Sequence, residues 1–381
     1  MANTSIRYIP RILDLPAALK NKSIFLFGPR QTGKSTLIGH TLSDCRVYNL
    51  LESDTFLKLN RTPQALRQEC GPKDKIIVID EIQKLPSLLD EVHLLIEGRG
   101  IHFLLTGSSA RKLRRSGANL LGGRAREKHL FPFSYRELGH QFDLTRALNY
   151  GLLPSIYLSD SPEEDLESYS GAYLKTEIAD EGATRNIPAF SRFLEVAAIC
   201  NGQMINYTEI ANDAQVPRTT VHEYFQILTD TLLAYELPAW KKSFKRKPIS
   251  TSKFYFFDVG VARFMQNRKV ISPGSKEYGE CFETFIFHEL KVYSEYKGKG
   301  CINYWRSTSG YEVDFIVNDE IAIEVKASAN ISSGDINGLK AIREEHKLKK
   351  YMVICFVDRP RLVDGINIMP WKMALDNLWS Q

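Results

Sequence analysis

Gly28-Pro29-Arg30-Gln31-Thr32-Gly33-Lys34-Ser35 fits the spacing G-x-x-x-x-G-K-[ST] directly after the apolar run Ile24-Phe25-Leu26-Phe27, a pattern that cradles phosphate. Glycines permit a tight turn with inward-pointing amide N–H groups, and a helix opening at Thr36-Leu37-Ile38 adds positive potential from its N-terminus. In such a loop Lys34 reaches the β- and γ-phosphates, Ser35 ligates Mg²⁺, and Thr36 extends the ATP contact. Asp80-Glu81 follows Ile76-Ile77-Val78-Ile79, as when a buried parallel strand delivers acids to its C-terminal edge. There Asp80 would hold Mg²⁺ through water, and Glu81 would orient or deprotonate the attacking water.

Two further residues bear on that chemistry. Ile101-His102-Phe103-Leu104-Leu105-Thr106 ends in Gly107-Ser108-Ser109. Ser108 would bond nucleotide or water there, with helix capping for residues 110 to 115 an equal alternative. Arg124 follows the glycine pair Gly122-Gly123; its guanidinium could stabilise transition-state charge in cis or from a neighbouring subunit, or make a plain surface or nucleic-acid contact.

A second set of acids lies downstream. Tyr311-Glu312-Val313-Asp314-Phe315-Ile316-Val317 and Ile321-Ala322-Ile323-Glu324-Val325-Lys326 are apolar strands interrupted by charge. An Asp, nine intervening residues and Glu-x-Lys form the skeleton of restriction-endonuclease-like nucleases. A hairpin would bring Asp314 and Glu324 to one end, able to bind a second Mg²⁺ or Mn²⁺. Lys326 shares a sheet face with Glu324 and could activate water or steady phosphate. Glu283, on a helical segment opening at Gly279, would complete the site, with Glu289 in reserve. The alternative is a structural bridge between Lys326 and Asp314, because buried carboxylates need a metal or a cation.

These residues require particular elements to position them. Runs at 24 to 27, 46 to 50, 76 to 79 and 101 to 106 alternate with helical patterns, the signature of a parallel sheet covered by helices. Residues 162 to 240 read as helical. Within them Tyr207-Thr208-Glu209-Ile210-Ala211 and Pro217 to Tyr224 suggest a helix-turn-helix, with Arg218, Thr219, Thr220 and His222 on the exposed front of its second helix. A mixed pattern resumes at Lys253, with apolar runs at 254 to 257, 313 to 317, 321 to 325 and 351 to 357. The expected organisation is an α/β ATPase domain over 1–155, a helical, winged region over 156–248 and an α/β nuclease-like domain over 249–381.

Composition narrows the classes. At 381 residues, 43% hydrophobic and 25% charged, the chain is long enough for several cores and typical of globular proteins. Six scattered cysteines without C-x-x-C pairing support neither a zinc site nor a disulfide framework. Without a long apolar run or a leader-like start, a cytoplasmic location and no membrane partner are expected. The net charge of +5 is mild, but Arg111 to Arg115 carries four cations and Lys241 to Lys247 five. Such clusters suit nucleic-acid phosphates, DNA before RNA, or an ordinary solvated loop.

Together with Pro10-Arg11, Asp80-Glu81-Ile82-Gln83, Leu105-Thr106-Gly107-Ser108-Ser109, Gly123-Arg124 and Pro132-Phe133-Ser134, the phosphate loop makes the chain resemble the prokaryotic AAA+-type ATPases that carry a DUF4143 C-terminal region. The resemblance extends through Gly151-Leu152-Leu153-Pro154, Phe257-Asp258-Val259-Gly260 and the segment from Gly279 to Lys326. It implies an AAA+-like P-loop core, a central helical or winged helix-turn-helix region and a nuclease-like C-terminal fold. The expected activity is Mg²⁺-dependent ATP hydrolysis that controls a nucleic-acid-binding, nuclease-like C-terminal domain. A nucleotide-gated DNA switch without cleavage and an ATPase acting on a protein partner are the alternatives. A homo-oligomer follows only if Arg124 acts in trans.

Overall fold

A computed structural model describes residues 8–115, 121–173, 186–242, 245–298 and 300–380. The chain divides into two units: one running to Gly139 together with Asp230–Leu232, the other comprising His140–Thr229 and Leu233 onward.

The first unit is built on a parallel sheet of β1 (Ser23–Phe27), β2 (Arg46–Asn49), β3 (Ile76–Asp80), β4 (His102–Gly107) and β5 (Ala125–His129). Its strand order is β2-β3-β4-β1-β5, with every pairing parallel. β1 and most of β3 and β4 are buried, which explains their unbroken apolar runs: helices cover both faces, so no side faces water. The register sets Phe27 beside Gly107 and Ile79 beside Leu105. The ends of β1, β3 and β4 therefore meet at one sheet edge, where open α/β sheets bind ligands. The edge strand β5, Ala125-Arg126-Glu127-Lys128-His129, is absent from the sequence reading because its charged pattern carries no apolar signal.

The second unit begins with short helices and continues through helices Ile187–Ile199, Tyr207–Ala214 and Arg218–Asp230. A two-stranded antiparallel pair follows, β6 (Ala234–Leu237) with β7 (Lys253–Phe256), and Met204 bridges β7 at Lys253. β6 lies in the span read as wholly helical; four residues are too few to show a period. The helices Tyr207–Ala214 and Arg218–Asp230 are joined through Gln215, whose φ of 53° supplies the left-handed turn. After helices Val259–Met265 and Lys276–Lys297 comes a mixed sheet of β8 (Ile302–Arg306), β9 (Glu312–Val317), β10 (Ile321–Val325), β11 (Lys350–Cys355), β12 (Arg361–Val363) and β13 (Ile366–Pro370). Its order is β12-β13-β11-β10-β9-β8; β9 and β10 form an antiparallel pair while β10 and β11 run parallel.

Two segments quoted for the family resemblance meet inside this unit. Asp258 caps helix Val259–Met265, accepting from Val261 N at 3.0 Å and Leu152 N at 2.7 Å. Gly151 has φ 79°, and a Cβ there would strike the Asp258 carboxylate, so only glycine fits. Burial pushes the Asp258 carboxyl up to about 6, against the backbone N–H groups that favour its charge. Since the folded-state value lies above the unfolded one, Asp258 contributes most stability below the unfolded pKa and loses it as pH rises through about 6. The melting-temperature gap between the parent and Asp258→Asn is therefore expected to narrow as pH is raised from about 4 to 7. A gap constant over that window would contradict the assignment.

Candidate functional site

Between β1 and helix Lys34–Thr41, Gln31 (φ 63°) and Gly33 (φ 89°) turn the chain back on itself. Thr32 Oγ1 donates to Pro29 O at 2.8 Å and closes the loop from within. Lys34 Nζ lies inside it, donating to Gly28 O at 2.6 Å and Pro29 O at 3.1 Å. Gly28 passes so near Leu130 O that a Cβ would collide with it. Arg30 is half-buried, and Ser35 and Thr36 open the helix facing outward.

The acids arrive from β3. Ser35 Oγ donates to Asp80 Oδ2 at 3.2 Å, and Thr106, at the end of β4, donates its hydroxyl to Asp80 Oδ1. Glu81 takes a left-handed conformation, φ 62°, with its N–H donating to Thr106 Oγ1 at 3.3 Å and its carboxylate accepting from the Gln83 amide. Buried Gln83 presses on Gly107, where a Cβ would collide with its amide oxygen. Lys34, Ser35, Asp80 and Glu81 thus share one sheet edge. Ser108 and Ser109 are buried just beyond β4, and Arg111 N donates to Ser109 Oγ at 3.3 Å, so the capping reading fits Ser109.

Arg124 stands at the strand end remote from the phosphate loop. It pairs with Glu97 and precedes Ala125, whose register partner Ser23 starts β1. The phosphate loop leaves the other end of that strand, about 13 Å away at the usual rise per residue.

A buried ion pair escaped the sequence reading. Arg11 Nε lies 3.0 Å from Glu137 Oε1, both side chains being at most 3% exposed. The same guanidinium donates to Thr32 O at 2.7 Å and Phe131 O at 2.6 Å. Glu137 in turn accepts from Ile12 N and Ser134 N. One network therefore clamps the phosphate loop to the segment leaving β5.

The second unit gathers Glu283, Asp314, Glu324 and Lys326. Asp314 Oδ2 accepts from Val325 N at 2.8 Å, holding the β9–β10 pair at the acid end. Lys326 Nζ pairs with Glu324 Oε1 at 2.7 Å, so the bridge that the alternative reading gave to Asp314 is made with Glu324. Glu324 Oε2 is buried without a hydrogen-bond partner. Glu283 Oε1 accepts from Tyr255 OH at 2.6 Å. Burial, then Asp314, pushes Glu283 up to about 7, and burial with Asp314 raises Glu324 well above the usual carboxylate range. Glu289, the reserve choice, is buried on the same helix as Glu283. Among the described residues no three His, Cys, Asp or Glu side chains stand close enough to hold a metal as they are.

On the helix-turn-helix, Arg218, Thr219 and His222 are exposed and Thr220 is half-buried. His222 stacks on Tyr207 with centroids 3.6 Å apart. A cavity of about 630 Å³ opens beside them, walled by Arg218 and residues 249 to 252. The basic clusters are less available than their composition suggests. Arg111 pairs with Asp230, Arg114 with Glu127, Lys242 with Asp319, and Arg246 with Glu344 and Glu345. Residues 243 and 244 lie outside the described residues.

Residues 20–139 match the family model of an AAA domain. The phosphate-loop unit is thus similar to AAA domains. Residues 141–270 and 278–374 match two domains of unknown function, DUF8612 and DUF4143. An "Uncharacterized protein" of Mycobacterium tuberculosis is 25% identical over 305 residues, covering 77% of this chain and 67% of its own. One of Haemophilus influenzae is 25% identical over 380 residues, covering 90% and 91%. Replication initiator DnaA bound to AMPPCP and single-stranded DNA aligns at 13% identity over 58% of this chain and 90% of that one, TM-score 0.31. The residues matching an AAA domain include Lys34, Ser35, Asp80 and Glu81, whereas the Arg11 clamp precedes them. Glu283, Asp314, Glu324 and Lys326 all fall within the DUF4143 match, and Tyr255 within DUF8612.

Proposed function

We propose that the AAA domain is a Mg²⁺-dependent ATPase whose nucleotide state controls a nucleic-acid-binding, nuclease-like region formed by the rest of the chain. The observation that carries the first half is the Ser35 hydroxyl 3.2 Å from Asp80 Oδ2 beside the enclosed Lys34. This donor set, one hydroxyl and one carboxylate facing a phosphate loop, fits Mg²⁺. The ion would neutralise charge on the β- and γ-phosphates. Lys34 exchanges its loop carbonyls for phosphate oxygens, Thr106 orients Asp80, and Glu81 takes the proton of the attacking water.

The helix pair with β6 and β7 supports a winged helix, and the exposed Arg218, Thr219 and His222 support DNA contact. The unpartnered Glu324 Oε2 beside Asp314 and Glu283 supports a divalent-cation site of the nuclease type. Lys326, fixed on Glu324, would steady a phosphate there. DNA cleavage under Mn²⁺ or Mg²⁺, with and without ATP, tests the whole reading. The parent is expected to cut, Asp314→Asn and Glu324→Gln to lose cutting, and Lys34→Ala to lose only its ATP dependence. No cutting of linear, nicked or branched DNA, with binding retained, would leave the nucleotide-gated switch. That second reading is favoured by the lysines already neutralising these acids.

A further inference from the structure

Lys253 has no role in the site as read from sequence, yet it is among the most deeply enclosed cations of the chain, 5% exposed. It sits on β7, the second strand after the helix pair, outside the DUF4143 match that holds the acids. Its Nζ lies 2.7 Å from Glu312 Oε1 and 3.8 Å from Glu283 Oε1, over the ring of Tyr304. Lys253 and Tyr255, two residues apart and so on one strand face, both engage the same Glu283 oxygen. Burial opposes the charge of Lys253, but Glu283, Asp314 and Glu312 outweigh it and keep the ammonium protonated.

The cluster therefore contains Glu283, Glu312, Asp314 and Glu324 with Lys253, Lys326 and Arg306 as their cations. Lys326 is bound to Glu324, and Arg306 and Lys253 share Glu312; Lys253 also stands 3.8 Å from Glu283, the acid that would complete a three-carboxylate site with Asp314 and Glu324. A buried carboxylate must have a counter-charge. A divalent ion drawn by Glu324 Oε2 and Asp314 towards Glu283 would meet the Lys253 ammonium, 3.8 Å from Glu283 Oε1, and like charges in a buried site repel strongly.

We infer that Lys253 is an internal counter-cation which a divalent metal ion must displace from Glu283, so that Lys253 sets the metal affinity of the acid cluster. This rests on reading the cluster as a divalent-cation site. Because Lys253 lies on β7, which pairs with β6 after the helix pair and is bridged to Met204, a residue outside the DUF4143 match governs the acids.

Calorimetric titration with Mn²⁺ tests it on the full chain, in a Ser35→Ala background that removes the hydroxyl of the nucleotide site. Lys253→Met is expected to bind Mn²⁺ at least tenfold more tightly than its parent, Lys253→Arg to match the parent, and Asp314→Asn to abolish the heat in either. If Lys253→Met proves unstable, Lys253→Gln keeps a hydrogen-bonding group for Glu312 and carries the same expected direction. Equal or weaker Mn²⁺ binding by a folded neutral variant overturns the inference while sparing the metal-site reading. No Mn²⁺ heat in the parent or in any variant overturns that reading and the inference together.

Discussion

Glu81→Gln is expected to bind ATP with near-parental affinity and to turn it over about 10²- to 10⁴-fold more slowly, the usual contribution of a positioned general base. The amide keeps the shape of the side chain, and the contacts beneath it do not depend on its charge: the Thr106 hydroxyl holds the Glu81 backbone and Gln83 lies alongside. Only the capacity to accept a proton is lost. Lys34→Ala is expected to fail earlier, at binding, because the buried ammonium that now bonds Gly28 O and Pro29 O is the charge available to the phosphates. Fluorescent-nucleotide titration and phosphate release measured on both variants separate the two effects. Parental turnover in both would remove the ATPase assignment.

Arg11→Ala should destabilise the phosphate-loop unit by about 3 to 5 kcal/mol, the cost of stranding one member of a buried ion pair. Glu137, 1% exposed, would lose its partner, and the carbonyls of Thr32 and Phe131 would lose donors. Arg11→Lys should recover little, since an ammonium cannot span Glu137 and two carbonyls in the planar fork that guanidinium offers. Denaturant unfolding of the full chain should show an early transition, with nucleotide affinity reduced because Thr32 lies within the phosphate loop. A single unshifted transition for Arg11→Ala would show that the clamp carries little stability.

Parts of this architecture were legible because their signals are local. The phosphate loop is a run of consecutive residues, and β1, β3 and β4 are apolar because both sheet faces are covered. Asp314, Glu324 and Lys326 stood out as charges interrupting apolar strands, and the β9–β10 pairing brings them together as a hairpin would. β5 was hidden because an edge strand bearing Arg126, Glu127 and Lys128 looks like a loop. The place of Arg124 was hidden for a related reason. A flexible Gly-Gly-Arg suggests reach, but direction depends on which end of β5 meets which end of β1, and only the register reports that.

The sequence alone determined which residues could bind phosphate, carry acids and form a helix pair, since loops, strands and helices follow from neighbouring side chains and backbone preferences. Only the tertiary structure decided the partners of the charges. Arg11 finds Phe131 across 120 residues, Lys253 reaches acids from two other elements, and two cations of the apparent basic patches, Arg111 and Arg246, turn inward to carboxylates. A charge in a one-dimensional pattern has no known surroundings. Its energy depends on burial and on which opposite charge lies within a few ångströms, and both are properties of the folded chain.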